Sequence, residues 1–170
     1  AREVLKFDVQ LIVLGEGEPR YHEMLDFLGN DFPDKVRAFL MFNDLLAHQI
    51  EAGADIFLMP SLYEPCGLNQ LYSLAYGTVP IVRATGGLAD TVVDVDPRSM
   101  VEGRATGFVF REPTPRGLRA AIERAATVWH DRRAWNALAA NGMRADWSWD
   151  RSARSYVELY QEILRRRGRA

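Results

Sequence analysis

The sequence predicts an α/β fold built on a doubly wound parallel sheet, and three observations carry that expectation. Short apolar runs alternate along the chain with segments of helical spacing; the runs are apolar on both of their faces; and several end in loops rich in Gly, Pro or Asn. Strands that are apolar on both sides need cover above and below. Parallel strands joined by crossover helices meet that need.

In order, Ala1–Phe7 (AREVLKF) has the character of the last turns of a helix, and Asp8–Leu14 (DVQLIVL) is a buried strand that stops at Gly15-Glu16-Gly17-Glu18-Pro19. A helix begins near Pro19. Arg37–Phe42 forms the second strand, after which Asn43 caps a helix carrying Leu45, Leu46, His48, Gln49 and Ile50. Asp55–Pro60 (DIFLMP) repeats the strand pattern. Gly67–Tyr76 is helical, with Leu68, Leu71, Tyr72 and Ala75 on one face, and Thr78–Val82 is strand again. After a last short strand at Gly107–Phe110 the chain turns helical over Arg116–His130, Arg132–Met143 and Asp150 to about Arg166. No repeat or low-complexity linker divides it, so residues 1–170 read as one domain with closing helices over about 114–167.

A chain of 170 residues, 48% of them apolar, buries roughly 70% of its unfolded surface, which suits one domain. The formal charge of -2 offers no global field toward nucleic acid or an anionic membrane, and no apolar run approaches the ~20 residues of a membrane span. A single cysteine, Cys66, excludes an internal disulfide, and the first residues do not resemble a signal peptide; the natural setting is a reducing cytoplasm. The basic residues are arginine except Lys6 and Lys35, and they crowd toward Arg165, Arg166, Arg167 and Arg169. Glu158 and Glu162 precede that cluster at helical spacing, which makes it a solvated helix end favoured by the dipole rather than a nucleic-acid tail.

In an open parallel sheet, ligands sit beyond the carboxyl ends of the strands, and three loops are delivered there: Phe42-Asn43, Ser61–Gly67 and Arg83–Asp90. The middle loop, Ser61-Leu62-Tyr63-Glu64-Pro65-Cys66-Gly67-Leu68-Asn69-Gln70, sets one carboxylate just before a helix whose first amides are free to face an anion, with Gly67 letting a phosphate approach the backbone. Glu64 then accepts hydrogen bonds from sugar hydroxyls beside a pyrophosphate, or it simply caps the helix. A sugar nucleotide satisfies both the carboxylate and the amides. Cys66 has no partnered histidine and is read as a small buried packing residue rather than a nucleophile. Gly86 and Gly87 permit either close ligand approach or a tight turn, while Asp90 and Thr91 begin the next helical or extended stretch. Phe42 stacks on a base or joins the core, His48 is a core or rim residue, and no ligand spacing points to a metal.

The run Ala54–Asp94 (ADIFLMPSLYEPCGLNQLYSLAYGTVPIVRATGGLADTVVD) closely resembles the C-terminal domain of bacterial and plant glycogen or starch synthases, with EPCGLNQ, YGTVPIV and TGGLADT in the family's order and spacing. GFVF and the segment WDRSARSYVELYQEIL (149–164) resemble its closing elements, so the likeness spans essentially the whole chain. The resemblance implies the Rossmann-like C-terminal half of a two-domain retaining glycosyltransferase. Its reaction would move glucose from ADP-glucose to the non-reducing end of an α-1,4-glucan, without metal or other cofactor. Its setting would be the cytoplasm, or the plastid in a plant.

By the same resemblance Glu64 meets the donor glucose, the amides around Cys66, Gly67 and Leu68 meet glucose and phosphate, Asn69 reaches the distal phosphate, and Phe42 stacks on adenine. Gly86 and Gly87 line the site, and Arg83 is the nearest cation by sequence. Tyr72 stands where the wider superfamily has a second glutamate, and Leu62 and Ala75 stand where many synthases have arginine. The family's catalytic cleft lies between two domains, and its C-terminal domain opens with a strand and a loop that bears an arginine and a lysine. Neither that strand nor the N-terminal domain is found in this sequence, which makes an N-terminal half, in cis or in trans, an expected partner. In a 3-2-1-4-5-6 sheet that strand lies between the first strand here and DIFLMP, leaving edges that pair across the gap, recruit another chain or aggregate. The functions kept in view are the glucan synthase half, a non-catalytic ADP- or glucan-binding module, and a retaining transferase that uses UDP-glucose.

Overall fold

A computed structural model of the chain describes residues 4–168. A 3-10 turn, Val4–Lys6, is followed by β1 (Leu11–Leu14), α1 (Pro19–Asp31), β2 (Val36–Phe39), α2 (Asp44–Gly53), β3 (Ile56–Met59), α3 (Asn69–Tyr76), β4 (Val79–Arg83), α4 (Gly86–Thr91), α5 (Pro97–Val101), β5 (Phe108–Phe110), α6 (Pro115–His130), α7 (Arg132–Arg144) and α8 (Trp149–Arg167). All strand pairs are parallel. The predicted α/β alternation is therefore present, and local chemistry accounts for its punctuation. Pro19 and Pro115 open α1 and α6, Asn43 Oδ1 accepts the Leu46 amide 2.9 Å away at the start of α2, and Thr114 and Asp131 cap α6 and α7. Gly77, at φ +82°, ends α3 in the left-handed conformation.

The expected single sheet is instead two. β1 pairs only with β2, from Leu11↔Val36 to Leu14↔Phe39, while β3, β4 and β5 form a second sheet with β4 in the centre. Among the described residues no ladder joins β1 to β3, the edges between which the doubly wound order places one more strand. The two edges do not close on each other, and Ile12, in the middle of an apolar strand, is 47% exposed. The N-terminal turn bridges the two halves. Leu5 packs with Leu28 and Val36 beneath β1 and β2, while Val4 and Phe7 lie against the core of the larger sheet, and Lys35 Nζ donates to the carbonyl of Phe7 at 3.0 Å. The helical reading of Ala1–Phe7 is thus a short 3-10 turn where it is described; Ala1–Glu3 lie outside the described residues, as does Arg169.

The main core lies between the larger sheet and α6 and α7. Val79, Ile81, Phe108 and Phe110 meet Ala121, Ile122, Ala125, Trp135 and Leu138, and burial of a side chain such as Phe108 is worth ~1.5–3 kcal/mol. On the other face Val82, Leu88 and Val92 bring α4 against β4. Pro80 has no N–H for its neighbour, and the β4–β5 ladder accordingly begins one residue later at Ile81↔Phe108. Two elements went unrecognised in the sequence. Gly86–Thr91 is a short helix that contains Asp90 and Thr91 rather than a loop that ends there, and Asp96 starts α5 through a capping box with Ser99.

Candidate functional site

Two loops at the carboxyl ends of β3 and β4 touch backbone to backbone. The Gly87 amide donates to the Pro65 carbonyl at 3.3 Å, a Cβ on Gly86 would overlap the Glu64 carbonyl, and a Cβ on Gly87 would overlap the Cys66 carbonyl. Gly86 also sits at φ +44°. The glycine pair thus serves the close approach of one loop to the other, a role absent from either sequence reading of it. Arg83 ties the same loops at their base: its Nε donates to the Ser61 carbonyl at 2.6 Å and its Nη2 to the Leu62 carbonyl. Rather than standing free beside a phosphate, Arg83 braces the residues that lead to Glu64.

On this support Glu64 is half-buried, and Ser61 Oγ lies 3.4 Å from its Oε2. Gly67 follows at φ +72°, a turn favoured by glycine, and α3 starts immediately after. The N-cap residue Leu68 has no side-chain acceptor for α3; the Leu71 amide bonds the Leu68 carbonyl at 2.8 Å, and the amides ahead of it carry the positive end of the helix dipole. A carboxylate and a free-amide turn therefore stand side by side. Sugar hydroxyls suit the first and phosphate oxygens the second.

Cys66 is exposed, which corrects its reading as a buried packing residue: the turn that serves Gly67 lifts it to the surface. Leu68 and Asn69 are exposed as well. Phe42, 80% exposed beyond β2, is clear of the core and free to stack on a ligand. His48 is a rim residue: its Nδ1 lies 3.2 Å from the Tyr76 hydroxyl, and its ring is tilted against Tyr72, 5.7 Å away. Tyr72 extends this aromatic rim of α2 and α3.

Sequence reasoning passed over two polar side chains. Gln70 is wholly buried under the Cys66–Gly67 turn, and Glu51 is buried near the end of α2 with its Oε2 unpartnered among the described residues. Burial pushes the Glu51 carboxyl above its ordinary range, against a smaller opposing pull from His48. An amide or acid at a helical position that faces inward is invisible until the partner element is placed. Among the described residues no three His, Cys, Asp or Glu side chains cluster to hold a metal ion, and no helix is long and apolar enough to cross a membrane. A concavity of about 160 Å³ bounded by Gln10–Ile12 and Pro33–Arg37 lies at the amino ends of β1 and β2.

The family model described as glycosyl transferases group 1 matches residues 2–141. The chain belongs to that family. Among group 1 glycosyl transferases it is 54% identical over 160 residues to a glycogen synthase of Anaeromyxobacter sp. (strain K), covering 94% of this chain and 33% of the relative. It is 48% identical over 157 residues to the glycogen synthase of Thioalkalivibrio sulfidiphilus, covering 92% of this chain and 32% of that one. The catalytic domain of starch synthase IV from Arabidopsis thaliana, solved bound to ADP and acarbose, superposes with a TM-score of 0.83 at 35% identity, over 93% of this chain and 33% of that one. This group 1 transferase chain thus spans about a third of the length of the curated relatives it matches.

Proposed function

We propose that the chain is the donor-binding half of a glucan synthase that transfers glucose from ADP-glucose to the non-reducing end of an α-1,4-glucan, with retention at the anomeric carbon. One observation carries the reading: Glu64 and the uncapped start of α3 share a turn held by the Gly86-Gly87 loop at the carboxyl edge of the sheet. Glu64 would accept from glucose hydroxyls, the amides of Cys66, Gly67 and Leu68 would meet glucose and phosphate, Asn69 would reach the distal phosphate, and Phe42 would stack on adenine. Similarity to glycogen synthases and to an ADP-bound starch synthase domain supports the choice of nucleotide and sugar. No metal or other cofactor is invoked. The remaining catalytic wall would come from an N-terminal half, in cis or in trans, and the exposed, unpaired Cys66 fits a reducing cytoplasm or plastid.

Calorimetric titration of the chain with ADP-glucose, UDP-glucose and ADP tests the proposal. ADP-glucose should bind more tightly than UDP-glucose, Phe42→Ala should weaken both adenine ligands about tenfold, and Glu64→Gln should weaken ADP-glucose but not ADP. Equal binding of ADP and ADP-glucose with no effect of Glu64→Gln would favour a non-catalytic ADP module; preference for UDP-glucose would move the chain to another transferase.

A further inference from the structure

Gln70 sits at the second position of α3 with no solvent exposure, directly beneath the turn proposed to hold the donor. Its Nε2 donates to the Gly67 carbonyl at 2.9 Å and to the Cys66 carbonyl at 3.2 Å, and lies 3.2 Å from Thr91 Oγ1. The Thr91 hydroxyl in turn donates to the Gly87 carbonyl at 2.6 Å. One amide thus joins the two loops from below, through both carbonyls of the donor turn and the last residue of α4. Above it the Gly87 amide closes the circuit on Pro65. Gln70 Oε1, by contrast, has no partner among the described residues and faces the backbone of Gly67, where a Cβ would overlap it.

That unpaired oxygen is informative. A methionine of similar length would fill the space without burying an unpaired acceptor, so a role confined to packing gives glutamine no advantage. What methionine lacks is the donor amide. We infer that Gln70 is a positioning residue of the donor site, which fixes the Cys66-Gly67 turn against Gly86-Gly87 and so aims the leading amides of α3. The inference rests on the donor reading above, and its consequences divide into one readout that needs no ligand and one that does.

Cys66 supplies the first readout, because it is exposed and its own carbonyl is one of those Gln70 holds. In the full chain, Gln70→Met should lower the melting temperature by no more than a few degrees, speed alkylation of Cys66 by iodoacetamide several-fold, and weaken ADP-glucose binding about tenfold, as expected for loss of order in one turn. Thr91→Val should move both readouts in the same direction by less. Unchanged Cys66 reactivity and ADP-glucose affinity in Gln70→Met would overturn the inference. So would a fall in melting temperature that accounts for both changes, since that is how a plain core residue behaves. Should the parent chain ignore ADP-glucose at millimolar concentration, the donor reading and this role in it both fall; faster Cys66 alkylation would then mark a structural brace alone.

Discussion

Glu51 shows how a single buried side chain ties stability to pH. Its Oε2 is buried without a partner and burial raises its pKa, so the folded chain holds a proton at this site more tightly than the unfolded one. Stability tied to that proton is present below the unfolded value and is lost as pH rises through the folded one. Asp96 works in the opposite sense. The Ser99 amide, followed by that of Arg98, lowers its pKa, so its contribution is present above the unfolded value and is lost as pH falls. Glu51→Gln should therefore raise the melting temperature at pH 8 by ~2–4 °C, the equivalent of about 1 kcal/mol, with the gain vanishing toward pH 4. Thermal denaturation across that range checks it, and a gain independent of pH would show that the carboxylate is not the cause.

Elements differ in how firmly they belong to the core, and α8 belongs least. None of its described residues is buried, and Trp149, at 87%, is almost fully exposed; its last turn instead pairs locally, with Arg166 Nε 2.8 Å and Arg165 Nη2 3.1 Å from Glu162 carboxylate oxygens. Removing residues 149–170 should change unfolding free energy by no more than ~0.5 kcal/mol, measured by urea denaturation, because the main core ends with α7. The solvated helix end was legible in the sequence, since Glu162 and the arginines stand at i+3 and i+4. Strands β1 to β5 and the Asn43 cap were legible for the same reason: apolar runs and caps act locally. The start of α4 was not. Two glycines read as room for a ligand or as a tight turn, and their actual cause, the carbonyls of Glu64 and Cys66, lies some twenty residues away in sequence and contiguous only in space. Glu64 was legible through its place before a helix; the exposure of Cys66 and the burial of Gln70 depend on a turn whose shape those distant glycines fix.

At the scale of the molecule, the two sheets and the open loop surface bear on the same question. β1 and β3 present edges that no ladder joins among the described residues, and Leu62, Tyr63, Cys66 and Leu68 of the proposed donor turn are exposed. A helix terminus offers roughly half a positive charge, whereas a departing nucleoside diphosphate develops roughly two negative charges or more, so on the proposed reading the amides of α3 would need cations beside them in the transition state. Arg83 is already engaged with the carbonyls of Ser61 and Leu62. Loss of one transition-state donor costs ~10²- to 10³-fold in rate, and on the proposed reading an N-terminal half would supply more than one. The chain should therefore bind ADP-glucose yet incorporate glucose into a maltooligosaccharide at least ~10⁴-fold more slowly than the same chain joined to a competent N-terminal half. Radiolabel transfer measured with and without that half decides it. Comparable rates would mean that this chain contains the whole catalytic machinery and that Arg83 can leave its carbonyl partners for the diphosphate.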